Sequence, residues 1–155
     1  MPAIFITLEG GEGSGKSTQI KKLAARLEAQ GRDLLVTREP GGTVVGQSIR
    51  ALLLDPATGE LSPRTEALLY AADRAEHVAA VITPALSKGD LVLSDRYIDS
   101  SLAYQGAGRE LKLDDVALLS QWATGSLVPD LTVVLDIDPR VGMSRFEGAD
   151  RLEAL

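Results

Sequence analysis

At 155 residues and 45% hydrophobic content the chain is long enough to bury one core, so a single domain spanning 1–155 is expected. It has no cysteine, which excludes disulfides and thiolate metal sites and leaves oxygen ligands or the lone His77 for any metal. A net charge of −6 argues against a broad basic surface for nucleic acid, and no basic leader or apolar run of membrane-spanning length is read, so a soluble, cytoplasmic protein that meets small anions through local positive charge is expected.

Ile4 to Glu9 is a short apolar, β-branched run ending in glycines, which predicts a buried strand feeding a loop. That loop, Gly10-Gly11-Glu12-Gly13-Ser14-Gly15-Lys16-Ser17, satisfies G-x-x-x-x-G-K-[ST] in full. Such a loop turns backbone N–H groups inward, adds the positive end of a helix, sends Lys16 to the β- and γ-phosphates of a nucleoside triphosphate and places the Ser17 hydroxyl on Mg2+. A glycine-rich turn that merely joins strand to helix is the bland alternative, and the complete motif in this context weighs against it.

A helix is expected from Ser17, with Ile20, Leu23, Ala24 and Leu27 at helical spacing and Gly31 as its stop. A second strand, Leu34 to Thr37, leads into the turn-rich Glu39-Pro40-Gly41-Gly42-Thr43, whose last residue caps a helix through Ile49 and Leu53. After a connection from Asp55 to Pro63, Thr65 to Leu86 reads as one long helix with Pro84 near its end. Leu91 to Ser94 predicts a third strand, and Asp95 after it has the form of the second nucleotide motif, in which a carboxylate helps to hold Mg2+; a surface turn or an Asp95/Arg96 ion pair is the alternative. Helical stretches at Ser100 to Gln105 and Leu113 to Thr124 and a fourth strand, Leu131 to Asp136, complete the pattern. Strands alternating with helices imply an α/β fold of three layers, a parallel sheet flanked by helices. His77 is read as a surface residue or one backing the site, and Trp122 as core.

Binding a triphosphate leaves the fate of its γ-phosphate open. Transfer to a small molecule needs a second anion site, and Arg38 and Arg96, at the carboxyl ends of two strands, are placed to line the same crevice as the glycine loop. Leu8 to Thr18, Thr37 to Thr43, Leu69-Tyr70-Ala71-Ala72-Asp73-Arg74 and Leu93 to Gln105 together resemble the thymidylate kinases, over a stretch from Ile4 to about Arg151. The resemblance implies a P-loop kinase that transfers the γ-phosphate of ATP to dTMP, giving dTDP and ADP, with Mg2+, in a cytoplasmic homodimer that uses neither nucleic acid nor membrane. Gly10, Gly11, Glu12, Gly13, Ser14, Gly15, Lys16, Ser17 and Thr18 would bind ATP, and Ser17 and Asp95 the metal.

For the acceptor, the resemblance assigns Arg38 and Arg96 to the 5′-phosphate with Arg50 close by, Tyr70 to stacking on thymine, Arg74, Ser101 and Gln105 to the base edge, and Pro40 to a place near the base. Tyr104 would lie beneath the sugar, crowding a 2′-hydroxyl, and Glu12 near the sugar and phosphate end. Tyr70 and Arg74, four apart on one helix, could instead be a core aromatic beside a solvated charge. Lys16 and Arg96 would be catalytic; because Gly13 stands where one branch of the family has arginine, the further catalytic arginine is sought in the lid at about 143–151, as Arg145 or Arg151. The family continues beyond this lid, so a C-terminal part is read as missing. Competing expectations are another acceptor (dUMP, UMP or CMP), a P-loop switch that hydrolyses its triphosphate, and a remnant that only binds nucleotide.

Overall fold

The computed structural model describes residues 2–107 and 111–145. Four strands, β1 (Ile4–Glu9), β2 (Leu34–Arg38), β3 (Leu91–Asp95) and β4 (Leu131–Val134), form one parallel sheet in the order β2-β3-β1-β4. Helices α1 (Lys16–Ala29), α2 (Val44–Leu54), α3 (Pro63–His77), α4 (Thr83–Lys88), α5 (Ile98–Ser101), α6 (Leu113–Thr124) and α7 (Pro139–Ser144) connect and flank it. The expected parallel α/β architecture is present.

Strand periodicity divides the core between the two faces. Leu91 and Leu93 of β3, with Ile4 and Ile6 of β1, pack toward Ala24, Leu23 and Leu27 of α1. Val92 and Phe5, on the opposite face, pack with Val78, Ile82, Ala85 and Tyr97. Thr43 caps α2 as expected, its side chain accepting from the Gly46 N–H, and Ser62 caps α3 in the same way at Thr65. Register makes the functional edge level: Arg38 lies opposite Asp95, and Asp95 opposite Leu8, so β1, β2 and β3 end side by side.

Two readings need correction, and a third is decided between its alternatives. The long helix from Thr65 to Leu86 is helical throughout but carries a π-turn, Val78–Ile82, between α3 and α4. Pro84 has no N–H to give the preceding turn, and its ring would crowd the carbonyl four residues back, so a widened turn accommodates it. Trp122 is 81% exposed, because the inner face of α6 is taken by Val116, Ser120, Ala123 and Thr124 while Leu118 and Trp122, four apart, point outward. Of the two alternatives for His77, the one backing the site holds: it is fully buried on the inner face of α3 with Asp73 and Arg74. A second π-turn, Leu102–Ala107, carries Tyr104 and Gln105, and α7 is a helix that the sequence reading did not include. Phe146 to Arg151, the larger part of the expected lid and including Arg151, lie outside the described residues.

Candidate active site

The glycine loop leaves β1 and enters α1 through Gly15, in left-handed conformation, with no side chain capping the helix. The first N–H groups of α1 therefore point into the loop, the arrangement that receives phosphate. Gly13 also has positive φ, and a Cβ there would run into the backbone carbonyl of Gly142 in α7, so this position excludes any larger residue. Lys16 reaches back over the loop, donating from Nζ to the carbonyls of Gly10 at 2.8 Å and Gly11 at 2.9 Å. Burial, followed by the nearby Arg96 charge, lowers the Lys16 pKa.

Ser17 Oγ donates to Asp95 Oδ2 at 3.2 Å across the loop. Asp95 Oδ1 and Ser14 Oγ are buried without a hydrogen-bond partner among the described residues. A hydroxyl beside a carboxylate with an unmatched buried oxygen is a donor set that suits a hard divalent cation, so these residues fit the Mg2+ carried with a nucleoside triphosphate. The alternative Asp95/Arg96 ion pair does not form; Arg96 turns to Glu12 instead.

Arg96 follows β3 with φ 71, in the left-handed region that a non-glycine residue adopts at a cost. The backbone is held there because Arg96 N donates to Leu8 O at 3.0 Å. Its guanidinium bridges the glycine loop and α5: Nη1 donates to Gly10 O and to Ser100 Oγ, each at 3.1 Å, Nη2 pairs with Glu12, and the group lies 5.4 Å from the Tyr104 ring centroid. Glu9, which the sequence reading did not single out, supports this turn from beneath. It accepts from Tyr97 N at 2.7 Å and Ser100 Oγ at 2.5 Å, and burial raises its pKa against those hydrogen bonds.

A second buried network, also absent from the sequence reading, underlies the loop after β2. Arg74, 2% exposed, donates from Nε to Glu39 Oε2 at 2.7 Å and from Nη2 to Tyr97 O and Ser101 Oγ, each at 3.0 Å. Glu39 Oε1 lies 2.8 Å from His77 Nδ1, and His77 Nε2 lies 2.6 Å from Thr37 Oγ1. Asp73 Oδ1 accepts from Gly41 N at 2.9 Å. The reading of Tyr70 as core and Arg74 as solvated is reversed: Arg74 is the buried one and Tyr70 is half-buried.

Burial pushes the Asp73 carboxyl up from 3.8 to about 6, with the Glu39 charge adding to it. The native protein thus holds this proton more tightly than the unfolded chain, so native stability falls as pH rises from 3.8 to about 6, and the ionised carboxylate costs on the order of 3 kcal/mol above that window. Asp73→Asn keeps the acceptor for Gly41 N but cannot ionise. Its urea midpoint should drop less than the wild type's between pH 5 and 8; parallel curves would show that Asp73 does not titrate there.

All of this converges on one cavity of about 480 Å3. Glu12, Gly13, Gly15, Lys16, Ser17 and Thr18 line it from the loop, together with Asp95. Arg38, Pro40, Arg50, Tyr70, Arg74, Arg96, Ser101, Tyr104 and Gln105, every residue assigned to the acceptor besides Glu12, line it as well. Arg38 is exposed at the rim, and Arg50 donates to Pro40 O at 3.0 Å. Gly10, Gly11 and Ser14 shape the loop without lining the cavity, and Arg145, exposed at the end of α7, stands outside it.

The geometry is matched by comparison with known proteins. The family model described as thymidylate kinase matches residues 8–154. Thymidylate kinase of Bifidobacterium longum subsp. infantis is 54% identical over 158 residues, covering 99% of this chain and 68% of that protein. The protein of the same name from Clavibacter sepedonicus is 55% identical, again over 99% of this chain and 74% of its own length. Among solved structures, the crystal structure of thymidylate kinase from Ehrlichia chaffeensis superposes with a TM-score of 0.82 at 37% identity, covering 94% of this chain and 82% of that one.

Proposed function

Since the chain belongs to the thymidylate kinase family, we propose that the cavity beside the glycine loop is where Mg·ATP and dTMP meet, with the roles of the residues set by which end of it they line. The chain is an ATP-dependent kinase that phosphorylates dTMP to dTDP. The observation that carries the site reading is the common lining: the glycine loop at one end, and Arg38, Arg50, Arg96, Tyr70 and Tyr104 with a base-edge set of Arg74, Ser101 and Gln105 at the other.

In this reading an oxygen of the dTMP phosphate attacks the γ-phosphorus in line. A new P–O bond forms as the bond from the γ-phosphorus to its bridging oxygen breaks, and ADP leaves. Lys16 shifts its donors from the Gly10 and Gly11 carbonyls to the β- and γ-phosphates. Arg96, between the loop and Ser100, neutralises both approaching phosphates, and Arg38 and Arg50 hold the acceptor's own. Ser17 and Asp95, which lie 3.2 Å apart, would hold Mg2+, and the metal would spread the triphosphate's charge. Tyr70 stacks on the base, Pro40 lies near it, and Tyr104 packs under the deoxyribose with Glu12 at its phosphate end. Arg145 or Arg151, the latter outside the described residues, is the further catalytic arginine of this reading.

The reading treats 1–155 as one kinase domain acting in the cytoplasm. Among the described residues no helix is long and apolar enough to cross a membrane. A homodimer is part of the proposal, supported by Leu68 on α3 and Leu118 and Trp122 on α6, exposed on two helices packed together.

The test is ADP production from Mg·ATP with dTMP, dUMP, UMP, CMP or no acceptor, on protein whose mass in solution is read by sedimentation. Turnover that requires dTMP, from a species of twice the chain mass, is the expected result. Equal turnover without acceptor would overturn the acceptor-site reading, and a monomer with full turnover would overturn the dimer.

A further inference from the structure

On α3, Glu66, Tyr70 and Arg74 follow one another at intervals of four, which places them along one helical stripe. Tyr70 and Arg74 line the cavity, whereas Glu66 stands at the far end of the stripe and does not. It is a charged residue only 1% exposed, a placement that requires a partner. One partner is Gln105, itself 1% exposed, whose Nε2 lies 3.2 Å from Glu66 Oε1.

We infer that Glu66 is a specificity-determining positioning residue: by binding the Gln105 nitrogen it fixes the orientation of an amide that lines the cavity, and so selects a pyrimidine whose N3 carries hydrogen. The inference rests on the proposed meeting of Gln105 with the base edge. An amide has a donor end and an acceptor end of nearly the same shape, and either can be presented by a half-turn of its terminal bond. A carboxylate only accepts, so the nitrogen faces Glu66 and the oxygen is turned away from it. The opposite orientation would set two acceptor oxygens against each other in a site closed to solvent, the costly case of unmatched buried polar groups.

Thymine and uracil present N3–H, a donor that an amide oxygen receives. Cytosine presents a bare N3, which needs the amide nitrogen. Without Glu66 one glutamine could serve both. Arg74, which lines the same cavity and is held by Glu39, adds an independent selection in the proposed site, because a guanidinium only donates. Loss of Glu66 therefore relaxes discrimination without abolishing it.

The experiment compares kcat/KM for dTMP, dUMP and dCMP in wild type, Glu66→Gln, Gln105→Leu and the double variant. Glutamine at 66 pairs with Gln105 in either orientation, so the dTMP:dCMP ratio should fall about tenfold or more. The dTMP:dUMP ratio should stay within about twofold, because both bases carry N3–H. A purely structural role for Glu66 would lower all three acceptors in parallel, and that result would overturn the inference. In the Gln105→Leu background, Glu66→Gln should leave the dTMP:dCMP ratio unchanged, since Glu66 acts through Gln105. If Gln105→Leu alone leaves the ratio at its wild-type value, the base does not meet Gln105 and the site reading fails. If Gln105→Leu lowers the ratio while Glu66→Gln does not, the site stands and the role of Glu66 is refuted. Glu66→Asp, which keeps the charge but withdraws the oxygen, carries the same expectation should Glu66→Gln unfold.

Discussion

Arg96→Ala should lower kcat with saturating dTMP by on the order of a thousandfold while ATP affinity changes only a few-fold. The guanidinium lies between the Gly10 carbonyl of the glycine loop and Ser100, where in the proposed mechanism its charge serves both phosphates as they approach. Burial opposes that charge, but Tyr104, Glu12, Asp95 and Glu9 outweigh it and raise the pKa, so the group stays cationic throughout the working range. Arg96→Lys restores a charge without the fork, and should recover only part of the loss. The left-handed backbone provides a control for folding. Arg96→Gly removes a side chain that disfavours φ 71, so it should be about 1 kcal/mol more stable than Arg96→Ala and just as inactive. Single-turnover transfer and urea unfolding on the same three variants separate the two effects. Near-wild-type transfer by Arg96→Ala would remove Arg96 from the chemistry.

What the sequence made legible was local or carried by complete motifs. The strand at Ile4 to Glu9, the helix at Leu113 to Thr124 and the cap at Thr43 rest on neighbours within a few residues, and each is found where expected. The residues assigned to the acceptor were picked out through resemblance, because their types recur in four separated segments, and the fold brings them to one cavity. The supports behind them were not. Glu39 meets Arg74 and His77 across 35 and 38 residues, and Glu9 meets Ser100 across 91, so nothing in the local pattern marks them as partners. A charged residue on a helix face is ordinarily solvated, and only the packing of α3 beneath the loop after β2 reverses that for Arg74 and His77. Trp122 fails in the other direction: its size predicts burial, and its place on the outer face of α6 denies it.

The Arg74–Glu39 pair is a buried ion pair, and in the proposed site Arg74 also recognises the base; two substitutions should separate these roles. Arg74→Met leaves Glu39, 2% exposed in its side chain, without its nearest cation, and a buried charge stripped of its partner costs roughly 3–5 kcal/mol. The urea midpoint of Arg74→Met should fall accordingly. Replacing Glu39 by Leu in the same chain removes the orphaned charge, and most of the stability should return, since apolar groups of similar volume replace buried ion pairs with little loss. Recovery should stop short of wild type, because His77 Nδ1 also loses its acceptor. Catalysis should not recover with it. The double variant lacks the guanidinium donor that the proposed site offers a base carbonyl, and it lacks the Arg74 Nη2 that binds Ser101 Oγ at 3.0 Å, so kcat/KM for dTMP should remain down by about a hundredfold or more. A double variant that regained both stability and turnover would show that the ion pair only props the fold; one that regained neither would show that His77 and Thr37 cannot keep the loop after β2 in place once Glu39 is gone.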